Sequence, residues 1–436
     1  MNFLDSFVLP QSSEHIELLH YILMLIMFLF IPFISILFGG TVLSIYYRRR
    51  GLNEKNPLFL RFAHDVIETL TINKSLGIIL GIVPLLTSVL IFAQLLHNTE
   101  SPAVYYLLFS FILTAISVIL IYTYRYSVIF SGLFDSIKNI IPEDNNTSEI
   151  IKNYRDGSRA LSYRSGRYGL LLLFVALYLF VAGISNVLYP LFSFEVIVRF
   201  LQFLSAAFTV TGGAIFFAFF YWDGGKKIED DNYRAFVKKI AINITFTGAI
   251  IQPLFLTYDF IALPSFALSG AVFTYGMIAI LLLFIAYHLL YSMIRDSNLN
   301  MSGPVFYVLI FSMLGVIVKD QLAMGNATKP NAVILNAKYT EYLKVLTGEN
   351  KIAAIVSGEQ IYKNICSSCH SFDHKIVGPP YKLTLPKYEG KLDQLVAFIR
   401  NPTKKNPDYP SMPNPALKPA EAQAIAEWLL KTYKTK

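Results

Sequence analysis

The chain has two cysteines, Cys366 and Cys369, three positions apart, with His370 directly after. A pair this close cannot frame a disulfide scaffold, and C-x-x-C-H is the pattern by which two thiols become bonded to one haem. One turn of helix presents both sulfurs to the two vinyl groups on one porphyrin edge, and the histidine then falls beneath the iron as its proximal ligand. A structural zinc site would need further cysteines or clustered histidines, which the sequence lacks. The expected cofactor is therefore one covalent haem c. A haem that changes oxidation state makes no bond to substrate, so no residue is expected to act as a catalytic acid or base.

The surroundings narrow the reading. Gly358-Glu359-Gln360-Ile361-Tyr362 precedes the pair as a short amphipathic helix, and Gly378-Pro379 follows it. Tyr409-Pro410-Ser411-Met412-Pro413 forms a proline-rich loop, and Pro419–Lys431 a closing helix that carries Trp428. On these motifs residues 351–436 resemble class I cytochromes c. The resemblance implies that the Pro379 carbonyl accepts the second ring proton of His370, which fixes the tautomer, with Gly378 beside it. It also implies that Met412, the only methionine of this region, is the sixth iron ligand, and a thioether there raises the potential. His374 is the rival ligand, but four residues from His370 it stays on the same side of the ring. The region holds 13 Lys and Arg against 7 Asp and Glu. Lys363, Lys375, Lys382, Lys387, Lys391, Lys404 and Lys405 either ring the haem edge and steer an acidic partner or are a scattered solvated surface.

What positions this unit is a membrane. Of 436 residues 54% are hydrophobic and only 15% charged, whereas a soluble chain is nearer a quarter charged. A spanning helix needs about 20 apolar residues. Eight stretches qualify: Ile16–Ser44, Leu76–Leu96, Val104–Tyr124, Tyr168–Tyr189, Val196–Tyr221, Ile240–Tyr258, Phe266–Met293 and Pro304–Val318. The first is too long, and too far from a small-residue cleavage site, for a signal peptide. Lys and Arg crowd alternate loops, such as Arg48–Lys74 and Arg125–Arg167, and are missing from Asn98–Ala103, Pro190–Glu195 and Asp259–Ser265. The positive-inside rule then puts both termini outside, where haem is joined to cysteine. The net charge of +8 sits in those loops and in the tail, so no nucleic-acid partner is expected. The segment Asn56–Thr71 has a helical period and is expected along the inner interface.

The spans carry a second, fainter resemblance, to the haem-b subunit of cytochrome bd-type quinol oxidases, at Phe28-Leu29-Phe30-Ile31-Pro32 and Val198-Arg199-Phe200-Leu201-Gln202. Where that family has haem histidines, this chain has Met27 and Gln202. Other ionisable residues fall near the outer face. Glu195 and Arg199 are expected to pair one turn apart. His20 and His97, at the outer ends of the first two spans, could face one another across a haem b or a quinol, with Glu17 orienting His20 or accepting the quinol proton. Interfacial histidines with no cofactor are the alternative.

The expected architecture is all-α: a polytopic bundle of about eight spans (1–318), a periplasmic linker (319–350) with one short helix near Ala332–Thr347, and a mono-haem cytochrome c domain (351–436). The expected role is one-electron transfer at the periplasmic face of a bacterial inner membrane, as a multi-pass subunit of a respiratory complex. The partners would be its other subunits, an acidic redox protein or cytochrome, and membrane lipid. A rival places a membrane oxidoreductase in the spans, quinol-oxidising or similar to the membrane urate hydroxylases, with the tail as its built-in acceptor.

Overall fold

A computed structural model describes residues 11–97, 99, 101–138, 145–226, 228–295, 299–346 and 357–434. Eight of its helices are long and apolar enough to cross a membrane, and the described residues form no strand beyond an isolated bridge between His370 and Lys375. The first span is α1 (Ser13–Glu54), where the Ser12 hydroxyl accepts from the amide of His15 to cap the helix. Next comes α2 (Pro57–Leu70), opened by Asn56 with proline at its first turn. It buries Phe62, Ala63, Val66, Ile67 and Leu70, a single stripe at helical spacing. The remaining spans are α3 (Lys74–Leu95), α4 (Ala103–Lys138), α5 (Asn145–Ser185), α6 (Phe194–Tyr221), α7 (Asp231–Ala262), α8 (Gly270–Arg295) and α9 (Ser302–Leu346).

Without a hydrophobic drive between helices in lipid, small residues that admit a neighbouring backbone decide the packing. A Cβ on Gly39 of α1 would lie 2.1 Å from the Thr211 hydroxyl, one on Gly212 2.1 Å from that of Thr245, and one on Gly248 2.5 Å from that of Thr209. These contacts draw α1, α6 and α7 together. The basic end of the bundle is tied by ions: Lys226 pairs with Asp65 at 3.0 Å and Glu68 at 2.8 Å, and the Tyr233 hydroxyl donates to Asp65 at 2.8 Å. At the other end the Ser13 amide donates to Asn336 on α9 at 2.9 Å. The start of α1 and the far end of α9 therefore share one side.

Two expectations change. Lys319–Asn350 reads as a linker by composition, yet α9 runs unbroken through 45 residues to Leu346, with Pro330 inside it. At about 1.5 Å per residue that is roughly 68 Å, over twice the ~30 Å hydrocarbon thickness. Its far portion is held from behind: Leu335 is fully buried in the main apolar core, and Asn331 donates to the Leu95 carbonyl at 2.7 Å. Arg199, expected to pair with Glu195, turns instead to Asp259 of α7 at 2.7 Å. Asp259 also bonds Lys319, whose side chain is 1% exposed and lies 2.9 Å from Asp320. One carboxylate between two cations is the arrangement that makes buried charge tolerable.

The C-terminal unit has its own core. Ile361, Phe372, Tyr381, Leu395, Ile425 and Leu429 cluster together; apart from Phe372, on the irregular chain after His370, they come from α10 (Gly358–Ile361), α11 (Tyr381–Thr384), α12 (Leu392–Arg400) and α13 (Pro419–Thr432). A Cβ on Gly358 would come within 2.3 Å of the Ala424 carbonyl, so α10 and α13 cross at backbone contact. Trp428 packs on Tyr362 at 5.0 Å between ring centroids, as its place in the closing helix implies.

Candidate haem site

After α10 a π-helical turn (Tyr362–Cys366) delivers Cys366, and the His370 amide bonds back to the Cys366 carbonyl at 2.9 Å. Both sulfurs and the His370 ring open into one cleft of about 220 Å³. Its walls are mostly apolar and include Tyr381, Leu385, Leu395 and Ile399 from the domain's own core. For scale, a cavity of roughly 150 Å³ admits a benzene ring. This one is larger and partly open, which suits a flat group held by one edge.

The histidine is locked in orientation. Its Nδ1 lies 3.0 Å from the Pro379 carbonyl, which leaves Nε2 free to face the cleft. Its ring stacks on Tyr381 at 5.0 Å with 18° between planes. A Cβ on Gly378 would sit 2.2 Å from the imidazole Cε1, so only glycine lets the chain pass this close. Burial pushes the His370 pKa down, which favours the neutral ring that a metal ligand needs. Burial also raises the Cys366 thiol to about 11 and pushes Cys369 up. A dithiol redox pair works with lowered thiol pKa values, the opposite of what is seen.

Met412 stands in the wall of the same cleft, on the irregular stretch between α12 and α13. His374 is exposed and bonds Ser371 at 3.2 Å. Of the seven lysines, Lys387, Lys404 and Lys405 border the cleft. Lys363 is paired with Glu359 at 2.8 Å, Lys382 with Asp373 at 2.5 Å, and Lys375 lies over Tyr409 at 4.7 Å. Nothing in the residue pattern marks the ring beneath His370: Tyr381 is one aromatic among many until the fold stacks it there.

In the membrane half, His20 turns its Nε2 to Thr328 of α9 at 3.5 Å, and its buried Nδ1 has no partner. The His97 carbonyl lies 3.5 Å from the Asn331 amide nitrogen, also on α9. Glu17, expected to orient His20, is exposed and accepts from the Tyr21 hydroxyl at 3.3 Å. Met27 is wholly buried among apolar neighbours. Gln202 borders a cavity of about 80 Å³ that also meets Arg199, Gln252, Asp259 and Asp320. That space takes a few waters at ~10–15 Å³ each but no aromatic ring. His64, Asp65 and Glu68 bring ligand atoms within 4.8 Å of one another, but the Lys226 ammonium is already paired with both carboxylates.

A half-buried histidine fixed by the Pro379 carbonyl, with two thiols and a thioether around one mostly apolar cleft, joined to a bundle of apolar helices, defines a membrane-anchored c-type cytochrome. Residues 353–429 match the family model described as Cytochrome C oxidase, cbb3-type, subunit III. The chain is 40% identical over 79 residues to cytochrome c-551 of Azotobacter vinelandii, covering 17% of this chain and 95% of that protein. It is 35% identical over 78 residues to cytochrome c-551 of Pseudomonas denitrificans, again covering 17% of this chain and 95% of that protein. With cytochrome c-552 of Nitrosomonas europaea it shares 33% over 73 residues, 16% of this chain and 70% of that protein. Through its C-terminal domain the chain belongs to the cytochrome c family; it carries covalent haem c and transfers electrons.

Proposed function

We propose that the protein is a one-electron carrier at the periplasmic face of a bacterial inner membrane and works as a subunit of a respiratory complex. The observation that carries this is the cleft in which His370 and Met412 are both wall residues, with His370 Nδ1 tied to the Pro379 carbonyl. Haem c, when bound, supplies an iron that cycles between ferrous and ferric. Cys366 and Cys369 would anchor it through thioethers, and His370 and Met412, both in the wall of the cleft, would be its iron ligands. The Pro379 carbonyl holds the imidazole in the tautomer that presents Nε2 and strengthens it as a ligand. The apolar walls keep water from the iron, and Lys387, Lys404 and Lys405 favour an acidic partner at the rim.

Met412→Ala tests the assignment. The haem should remain covalently bound while the weak charge-transfer band of thioether ligation disappears and the potential falls. A wild-type protein without that band, or a variant that keeps it, would assign the sixth position to another residue.

A second reading puts a haem b or a quinol beside His20, in the manner of a quinol-oxidising enzyme whose tail accepts the electrons. Its support is the buried, unpartnered His20 Nδ1. Pyridine haemochrome analysis of wild type, His20→Ala and His97→Ala separates the two. Haem c alone, with quinol-dependent reduction of the tail unchanged in both variants, leaves the carrier reading standing by itself.

A further inference from the structure

Past its apolar stretch α9 has two faces. One is held by the bundle: Thr328 meets His20, Asn331 reaches the end of α3, Leu335 is buried in the core, and Asn336 takes the Ser13 amide. The other carries Pro330, Val333 and Ile334, spaced i, i+3 and i+4 and therefore in one stripe. All three line the haem cleft together with Cys366, Cys369 and Met412. A helix that has left the apolar stretch gains nothing from an apolar stripe in water, and here the stripe is half-buried and lines the cleft of the cytochrome domain.

We infer that Pro330, Val333 and Ile334 of membrane helix α9 are haem-site residues, forming the wall that shuts water out of the cleft on the side of the two cysteines. The membrane half then does more than anchor the domain: it completes the haem environment. The tuning follows from burial. Solvent exposure is one of the factors that set a haem potential, and a charge-free, water-excluding wall favours the ferrous form, which carries one positive charge fewer. The same wall keeps small hydrophilic reductants from this edge. The side of the cleft nearest the cysteines faces α9, whose Thr328 and Asn331 also meet His20 and His97.

The inference rests on the haem-carrying reading, and the test separates the two. In the full-length, haem-loaded protein, V333Q and I334Q together place neutral polar groups in the wall without adding charge. The expected result is a lower midpoint potential and a several-fold faster reduction by ascorbate, with the low-spin spectrum kept. Potential and ascorbate rate both at wild-type values would overturn the inference. Should the double variant fail to accumulate, X-ray hydroxyl-radical footprinting of the wild type decides: residues 330–334 protected supports the wall, and residues 330–334 as reactive as exposed helix refutes it. A wild type that lacks covalent haem would sink the functional reading itself, whereas a haem-loaded wild type with an unresponsive variant sinks only the wall.

Discussion

Gly378→Ala should unseat the proximal histidine while leaving the haem attached. The added Cβ would lie 2.2 Å from His370 Cε1, 2.6 Å from Nδ1 and 2.8 Å from Nε2. Carbon atoms pack best at about 3.5 Å or more, so the ring must retreat by about 1.3 Å. Two ways are closed to it: Tyr381 stacks on it at 5.0 Å, and its Nδ1 is bonded to the Pro379 carbonyl at 3.0 Å. Movement on that scale takes the bond past ~3.6 Å, where it ceases to count as one. A buried donor left unsatisfied costs about 1–3 kcal/mol, and loss of such an outer partner typically weakens a metal site about 10–100-fold. The thioethers at Cys366 and Cys369 are untouched, so pyridine haemochrome should still give one haem c per chain. Optical and electron paramagnetic resonance spectra should show a high-spin fraction absent from the wild type, and spectroelectrochemical titration a displaced midpoint. A fully low-spin variant with the wild-type potential would mean that the imidazole is not held by this contact, and the argument from Gly378 would fail.

A fragment of residues 351–436, exported with haem maturation, should give a soluble red protein, because the cluster around Ile361, Leu395 and Ile425 is its own core; failure to take up haem would count against domain independence. Lys319→Met should destabilise the bundle by about 3–5 kcal/mol, since it removes one of two cations from buried Asp259, and an unchanged thermal midpoint in detergent would show that the ion cluster contributes nothing. Electron exchange with an acidic redox protein should slow as salt rises, because Lys387, Lys404 and Lys405 border the cleft and the Debye length falls from about 10 Å at 0.1 M to about 3 Å at 1 M; a rate indifferent to salt would assign the rim no steering role.

The chemistry of the tail was legible because it is local. Cys366, Cys369 and His370 fall within two turns of chain, Gly378-Pro379 within ten residues of His370, and covalent attachment depends on that spacing rather than on distant partners. The eight spans were legible for a related reason: the bilayer demands about 20 apolar residues wherever a helix crosses, and that demand is written along the sequence. Their ends were less so. Residues 319–346 carry Asn, Lys, Thr and Pro, a composition that fits a linker. They are helical because Leu335, Asn331 and Asn336 are gripped by other elements, and helices in proteins take most of their stability from tertiary packing rather than propensity.

Pairing lay beyond the sequence altogether. Glu195 is one turn from Arg199, and neighbours at that spacing are the natural expectation. The fold instead brings Asp259 and Lys319 to the same buried point, where low dielectric makes the choice of counter-ion matter far more than it does at a helix end in water. Lys319 did leave a trace, a lysine directly after an apolar run, and ionisable groups so placed are functional or structural by default. The stripe Pro330, Val333 and Ile334 left none: three apolar residues gain meaning only when a domain encoded about twenty residues later folds over them. Sequence fixes which atoms can bond a haem, because bonding needs particular elements at short range. Tertiary structure decides what surrounds that haem, because burial is a property of every element that converges on the site.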